Sequence, residues 1–239
     1  MTAARTAIGE QAFVAAWARR ESALSVITEE ALTGSLADPA LEHLARLHPL
    51  LCPRQILGVR IGRYAGELLR VEVPRPDKRL LVITEIDGCF ADGLSVATGC
   101  WLGHRTLQVV DYGKVAATIV DQHTFEAVRV WPNPRARTTA ERLVTRAVDR
   151  WHAQLEGYQM MPYTDLLKFL PVKVNVSFIR SLVTDVTRLM CPGCGEDILY
   201  GRTVLRQGRP LCRSCAGDSY YVPLTFVSKA KREEEGSNP

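Results

Sequence analysis

The sequence predicts a mixed α and β core followed by a small cysteine-rich module, and three observations carry this prediction. Helical periodicity fills the first third of the chain, strand-like apolar runs follow in the middle, and four cysteines lie near the C-terminal end. At 239 residues the chain can hold one sizeable domain and a small one. We therefore divide it into a core domain (1–187), a four-cysteine module (188–222) and a C-terminal extension (223–239) whose charge-rich tail is predicted to be disordered.

Three helices are predicted before the first strand, over residues 8–33, 38–47 and 52–69. The first follows from apolar residues at helical spacing. The second and third each begin with a residue that can cap a helix followed by proline, which favours the first helical position. The third helix carries a glycine at every fourth residue, and this clears one face for the close approach of another backbone. These glycines are Gly58, Gly62 and Gly66.

The middle of the chain predicts strands. The continuous apolar run 80–83 is typical of a strand buried on both faces, and residues 90–98 suit a short helix. Three further runs are expected to form a meander joined by hairpins; they cover 106–110, 115–120 and 125–131. Two more elements are predicted after the meander, a helix over 138–155 and a strand over 172–178.

Composition limits the class of protein. A hydrophobic content of 46% with 23% charged residues is ordinary for a globular chain, and a net charge of +4 is too weak to indicate nucleic-acid binding by itself. No run of 18 apolar residues is present, so no membrane span is expected, and the N-terminus lacks an apolar signal core. Seven cysteines without an evident disulfide framework favour a reducing, cytoplasmic location.

The four C-terminal cysteines form the pattern C-x2-C-x17-C-x2-C, and they are Cys191, Cys194, Cys212 and Cys215. Two thiolate pairs on tight turns can converge on one tetrahedral Zn²⁺, and this spacing is specific for such sites. The alternative is four reduced thiols without metal. Because a site closed by four thiolates has no open coordination position, we expect a structural zinc and seek the chemistry elsewhere.

His48 and Cys52 form a first candidate site in the core. Cys52 is predicted at the N-cap of a helix, where free N–H groups and the helix dipole stabilise a thiolate. A histidine one turn away can ligate the same metal or shuttle protons for the thiol. The alternative is a buried cysteine beside a surface histidine.

A second candidate cluster follows the apolar strand at its C-terminal end, where clefts of α/β sheets form. Carboxylates, thiols and a lysine on converging loops can bind a metal or position a small substrate. The alternatives are that Asp92 only caps a helix and that Cys100 lies in the core. The cluster consists of Glu85, Asp87, Cys89, Asp92, Cys100 and Lys114.

Taken in order, these motifs resemble the FmdE family, which is named after a protein associated with molybdenum formylmethanofuran dehydrogenase. The motifs are His48-x3-Cys52-Pro53, Glu85-x-Asp87-x-Cys89-x2-Asp92-Gly93, Thr98-Gly99-Cys100 and Asp111-Tyr112-Gly113-Lys114. The resemblance implies an α+β core with helices packed on a mainly antiparallel sheet, and a homodimer. The four-cysteine module resembles the treble-clef zinc finger that some members carry.

The resemblance also implies a groove in the core lined by His48, Cys52, Cys89, Asp92, Cys100 and Lys114. Within it, His48, Cys52 and Cys89 are the candidates for a second metal site. The chain departs from the family motif His-Gly-His-x-Cys-Pro-Gly at several positions. Leu50 stands where the motif has its second histidine, and Arg54 stands where it has a glycine.

Three functions follow as hypotheses. The first is a zinc-binding, FmdE-like accessory protein that holds a metal or cofactor in redox metabolism linked to one-carbon units or molybdopterin, with a redox-enzyme or one-carbon-pathway partner. The second is a zinc-finger protein that contacts nucleic acid or a protein through arginines in the module; they are Arg202, Arg206, Arg209 and Arg213. The third is a thiol-redox enzyme with Cys52 as nucleophile.

Overall fold

The computed structural model describes residues 38–175, 177–179 and 186–222. The chain divides into two compact units, residues 1–183 and 184–239, so the boundary lies a few residues before the predicted 187/188. The predicted helix over 8–33 and the extension 223–239 lie outside the described residues. Within the described residues, no helix is both long and apolar enough to cross a membrane.

The first unit contains a five-stranded sheet with the order β2-β1-β3-β4-β5. Only the β1–β2 pair is parallel, and the three other pairs are antiparallel. This confirms the predicted α+β class with a mainly antiparallel sheet. The strands are β1 (Leu80–Thr84), β2 (Leu107–Val109), β3 (Ala117–Asp121), β4 (Ala127–Pro132) and β5 (Leu167–Val172).

The same unit contains six described helices. The helices predicted over 38–47, 52–69 and 90–98 are confirmed. In the first of them Asp38 is the N-cap, and its Oδ1 accepts a hydrogen bond of 2.8 Å from the Ala40 N–H. The helices are α1 (Pro39–Leu47), α2 (Pro53–Leu69), α3 (Cys89–Thr98), α4 (Ala136–Leu143), α5 (Arg150–Met160) and α6 (Tyr163–Leu166).

The predicted meander is only partly correct. The β3–β4 hairpin is present, with Val120 opposite Ala127. The connection before β3 is not a hairpin, because β2 pairs in parallel with β1 and β1 therefore lies between β2 and β3. Helix α3 supplies the crossover that a parallel β1–β2 pair requires.

Two later predictions are wrong. The helix expected over 138–155 is two helices, because α4 ends before Val144 and Asp149 starts a new helix by accepting a 2.9 Å hydrogen bond from the His152 N–H. The strand expected over 172–178 lies earlier, since β5 ends at Val172 and residues 177–179 are helical. Pairing with β4 sets its position, with Trp131 opposite Lys168.

The sheet has two faces with different neighbours. Alternate residues such as Val82 and Ile119 belong to the main core with residues of α1, α2 and α3. Their neighbours along the strands, such as Leu81 and Val120, pack on the opposite face in a smaller apolar cluster with Ile179. The sheet therefore separates the helices from a second, smaller buried region.

The second unit is built from two short hairpins. Strands β6 (Arg188–Met190) and β7 (Asp197–Leu199) pair in one, and β8 (Val204–Arg206) and β9 (Arg209–Leu211) pair in the other. One cysteine pair follows β6 directly, and the other follows β9. The treble-clef topology of this unit stays a prediction.

Candidate metal centre and thiol groove

The four cysteines of the second unit form a metal-ligating cluster. Their sulfur atoms all lie within 4.8 Å of one another. The Sγ atoms of Cys194 and Cys212 are 3.9 Å apart, and tetrahedral Zn–S bonds of about 2.3 Å require a sulfur separation of roughly 3.8 Å. The donor set and its spacing therefore fit a structural Zn²⁺, as the sequence predicts.

Backbone N–H groups support this cluster. The Cys212 N–H donates to Cys191 Sγ over 3.3 Å, and the Cys215 N–H donates to Cys212 Sγ over 3.4 Å. The first of these hydrogen bonds is the main reason that the pKa of the Cys191 thiol is lowered to about 6. A thiol with this pKa supplies the thiolate that zinc binds.

In the core, the candidate groove depends on the crossing of α2 and α3. A Cβ atom on Gly58 would lie 2.4 Å from the Phe90 carbonyl oxygen, and one on Gly93 would lie 2.3 Å from the Gln55 carbonyl oxygen. The two backbones are therefore in contact, which confirms the close packing predicted for the glycine face. Because this face is used within the chain, it no longer argues for a homodimer, which stays a prediction.

The crossing places the N-terminal ends of both helices side by side. Cys52 is the N-cap of α2, and Cys89 is the first residue of α3 after Gly88, whose φ of +71° suits glycine. The two thiols are hydrogen-bonded to each other, and both are half-buried. Burial raises the pKa of the Cys89 thiol, the neighbouring Cys52 raises it further, and Arg54 acts in the opposite direction.

His48 and Asp92 form a second pair across the same two helices. Asp92 lies one turn after Cys89, and its Oδ2 is 2.9 Å from His48 Nε2. The side chains are 30% and 43% exposed, so the pair is accessible to solvent. A carboxylate on one ring nitrogen orients a histidine and leaves Nδ1 as the available acceptor, which is the usual support for a metal-ligating imidazole.

Gln55 is a site residue that the sequence interpretation missed. It is fully buried, and its Oε1 accepts a 2.7 Å hydrogen bond from the Cys52 N–H. Its Nε2 has no hydrogen-bond partner among the described residues. The signal was present, because a glutamine three residues after an N-cap is typical of a capping box.

Three predicted members of the second cluster lie apart from the thiol pair. Cys100 is 1% exposed within the main core, where burial raises the pKa of its thiol. Glu85 is paired with Arg129 of β4. Lys114 is exposed, with Nζ 5.9 Å from the centre of the Tyr112 ring.

The structure thus joins His48 with Asp92 and Cys52 with Cys89. Asp87 is exposed just before α3. Among the described residues, the four-cysteine cluster is the only set of three or more metal-ligating side chains with its ligand atoms within 4.8 Å. Three core ligands therefore do not converge without a side-chain rotation.

Together these features define an α+β protein with a zinc-finger module and a dithiol groove at a helix crossing. The family described as "FmdE, Molybdenum formylmethanofuran dehydrogenase operon" matches residues 47–168. That range covers half of the chain, and the chain belongs to the FmdE family. The family described as "Prokaryotic dksA/traR C4-type zinc finger" matches residues 186–221.

Two individual proteins are similar to this chain. A protein of Archaeoglobus fulgidus, named as a probable S-adenosyl-L-methionine-binding protein, is 30% identical over 214 residues. That match covers 81% of this chain, and the chain spans 57% of the length of the relative. The crystal structure of an FmdE-like protein of tungsten formylmethanofuran dehydrogenase, from Syntrophus aciditrophicus, is 24% identical, with a TM-score of 0.47 over 70% of this chain and 86% of that one.

Proposed function

We propose that this FmdE-family protein is a cytoplasmic accessory of one-carbon, molybdopterin-linked redox metabolism, and that its core groove binds a soft metal ion or a metal-containing cofactor. The observation that carries the proposal is the contact between the Cys52 and Cys89 thiols at two adjoining helix N-termini. Helix N-termini stabilise thiolates, and thiolates select soft metals.

The neighbouring side chains support the same function. His48, oriented by Asp92 through Nε2, offers Nδ1 as a third ligand once the imidazole rotates toward the thiols. Three protein ligands would leave one position open for a cofactor or partner group. The unpaired Gln55 Nε2 lies beside Cys52, and an acceptor on a bound group would satisfy this buried donor.

Metal content per chain tests this proposal. We expect about two metal ions in anaerobically purified protein, one in the finger and one in the core. Cys52→Ala should lose the core ion and keep the finger ion, whereas Cys191→Ala/Cys194→Ala should do the reverse. Cys100→Ala is the matched control, because it removes a thiol that lies in the apolar core. One ion in the wild type, unchanged by Cys52→Ala, would exclude a core metal.

The name of the A. fulgidus relative suggests S-adenosyl-L-methionine as one small molecule to offer to the groove. Its sulfonium sulfur is positively charged, and an anionic thiolate pair would attract it. Calorimetric titration of wild type and Cys52→Ala with this compound would show whether the thiol pair takes part in binding. Equal binding by both proteins would remove it from the proposed ligands of the thiol pair.

A thiol-redox function is the second candidate, and the same thiol contact favours it. Cys89 supplies the resolving cysteine that a Cys52 nucleophile lacks in the sequence. Two thiols would give two electrons and two protons to a disulfide oxidant such as oxidised glutathione, which is reduced to two glutathione thiols. Cys52 and Cys89 would then be joined by a disulfide.

Peptide mapping after mild oxidation tests the second candidate. We expect oxidised glutathione to link the peptides that contain Cys52 and Cys89 in zinc-loaded protein, and dithiothreitol to release them. Cys52→Ala should form no core cross-link, while Cys100→Ala should behave as the wild type. If both thiols remain alkylatable after oxidation, the redox candidate fails and the metal-binding function stands alone.

A further inference from the structure

A cavity of about 290 Å³ lies beside the sheet on the face opposite α2 and α3. Its walls combine apolar side chains from β1, β5 and the segments after β2 and β5 with a small number of polar groups. The apolar members are Ile83, Val110, Val172, Val174 and Phe178, and the others are Glu85, Tyr112, Thr118, Lys173 and Asn175. Binding pockets for small molecules have this composition and begin at roughly 300 Å³.

Glu85 is the unusual residue of this cavity, because its side chain is only 8% exposed and carries a charge. Arg129 donates to both carboxylate oxygens, from Nε over 2.6 Å and from the terminal nitrogen over 2.7 Å. The pair is electrically neutral. A carboxylate has about four lone-pair sites, so each oxygen can still accept one further hydrogen bond.

Aromatic rings stand at the edge of the same cavity. Tyr112 is 66% exposed and Phe178 is 39% exposed, although aromatic side chains contribute much apolar area when they are covered. A planar molecule between them would bury both ring faces. The volume limits such a molecule to one or two rings.

We propose that this cavity binds a planar heterocycle of one or two rings that carries an amino group. The rings lie against Ile83, Val110 and Val174, and the amino group donates to the Glu85 carboxylate. Because Arg129 already balances the charge of Glu85, a neutral donor is preferred over a cation. The site lies on the other face of the sheet from the thiol groove, and the inference does not rest on the proposed function.

The test is a titration of the full-length protein with three probes, followed by the backbone amide signals in NMR spectra. Adenine carries the amino group, purine is the same ring system without it, and adenosine carries it on a larger molecule. We expect adenine to shift signals of residues 83–85, 110–118 and 172–175 and to bind at least about tenfold more tightly than purine, because a hydrogen bond to a buried charge discriminates by this amount. Binding by adenosine as well as adenine would indicate the base of a larger molecule, whereas binding by adenine alone would indicate a free base.

Two variants and one control complete the test. Val174→Trp fills the cavity and should abolish binding, and Tyr112→Ala removes one aromatic wall and should weaken binding several-fold. Val148→Trp is the control, because Val148 is 90% exposed and does not line the cavity. Adenine binding that is no tighter than purine binding, that shifts other residues, or that survives both variants would overturn the proposal.

Discussion

Removing the zinc is expected to unfold residues 186–222, either by chelation or in Cys191→Ala/Cys194→Ala. The described part of this unit buries only Cys191, Ile198 and Ala216 among its apolar residues. So small a core cannot offset the conformational entropy of about 37 ordered residues, at 1–2 kcal/mol for each backbone. Structural zinc contributes an apparent 10–16 kcal/mol to such folds, so the metal holds this one together.

Amide NMR spectra with and without a strong chelator provide the measurement. Signals of residues 186–222 should collapse to unfolded positions, while those of residues 38–175 should keep their dispersion. Met190→Ala is the matched control, because Met190 precedes the first ligand, is 66% exposed and offers no thiolate. Retention of the module's dispersion after complete zinc removal would show that the hairpins fold without metal.

The zinc site was predictable because its information is local. Two C-x2-C pairs each form a turn of a few residues, so the spacing alone brings the thiols of each pair together. Helices α1, α2 and α3 were likewise predictable, since capping residues and proline mark their starts within the sequence itself. The order of strands was not, because placing β1 between β2 and β3 is decided by long-range pairing.

The same distinction explains the core site. Cys52 and Cys89 could be singled out by motif, but 37 positions of sequence separate them, and only the helix crossing shows that they are in contact. Glu85 illustrates the opposite error. It lies four residues before Cys89 along the chain, yet strand alternation directs it to the other face of the sheet, where Arg129 neutralises it.

Gly93→Ala is expected to destabilise the first unit by about 3 kcal/mol, because an added Cβ would lie 2.3 Å from the Gln55 carbonyl oxygen and overpack the crossing. The sign is informative. In a helix interior without this contact, alanine in place of glycine should instead stabilise by up to about 1 kcal/mol. Separation of the helices should also part the Cys52 and Cys89 thiols, and so reduce both core metal binding and cross-linking.

Urea denaturation of Gly93→Ala beside Gly103→Ala separates these possibilities. A methyl group added at Gly103 would meet no atom within 4 Å, so this substitution should change the free energy of unfolding by less than about 0.5 kcal/mol. If Gly93→Ala matches or exceeds the wild type in stability, the helices do not touch at Gly93. The thiol pair would then lose the packing that brings it together, and with it the physical basis of a dithiol site.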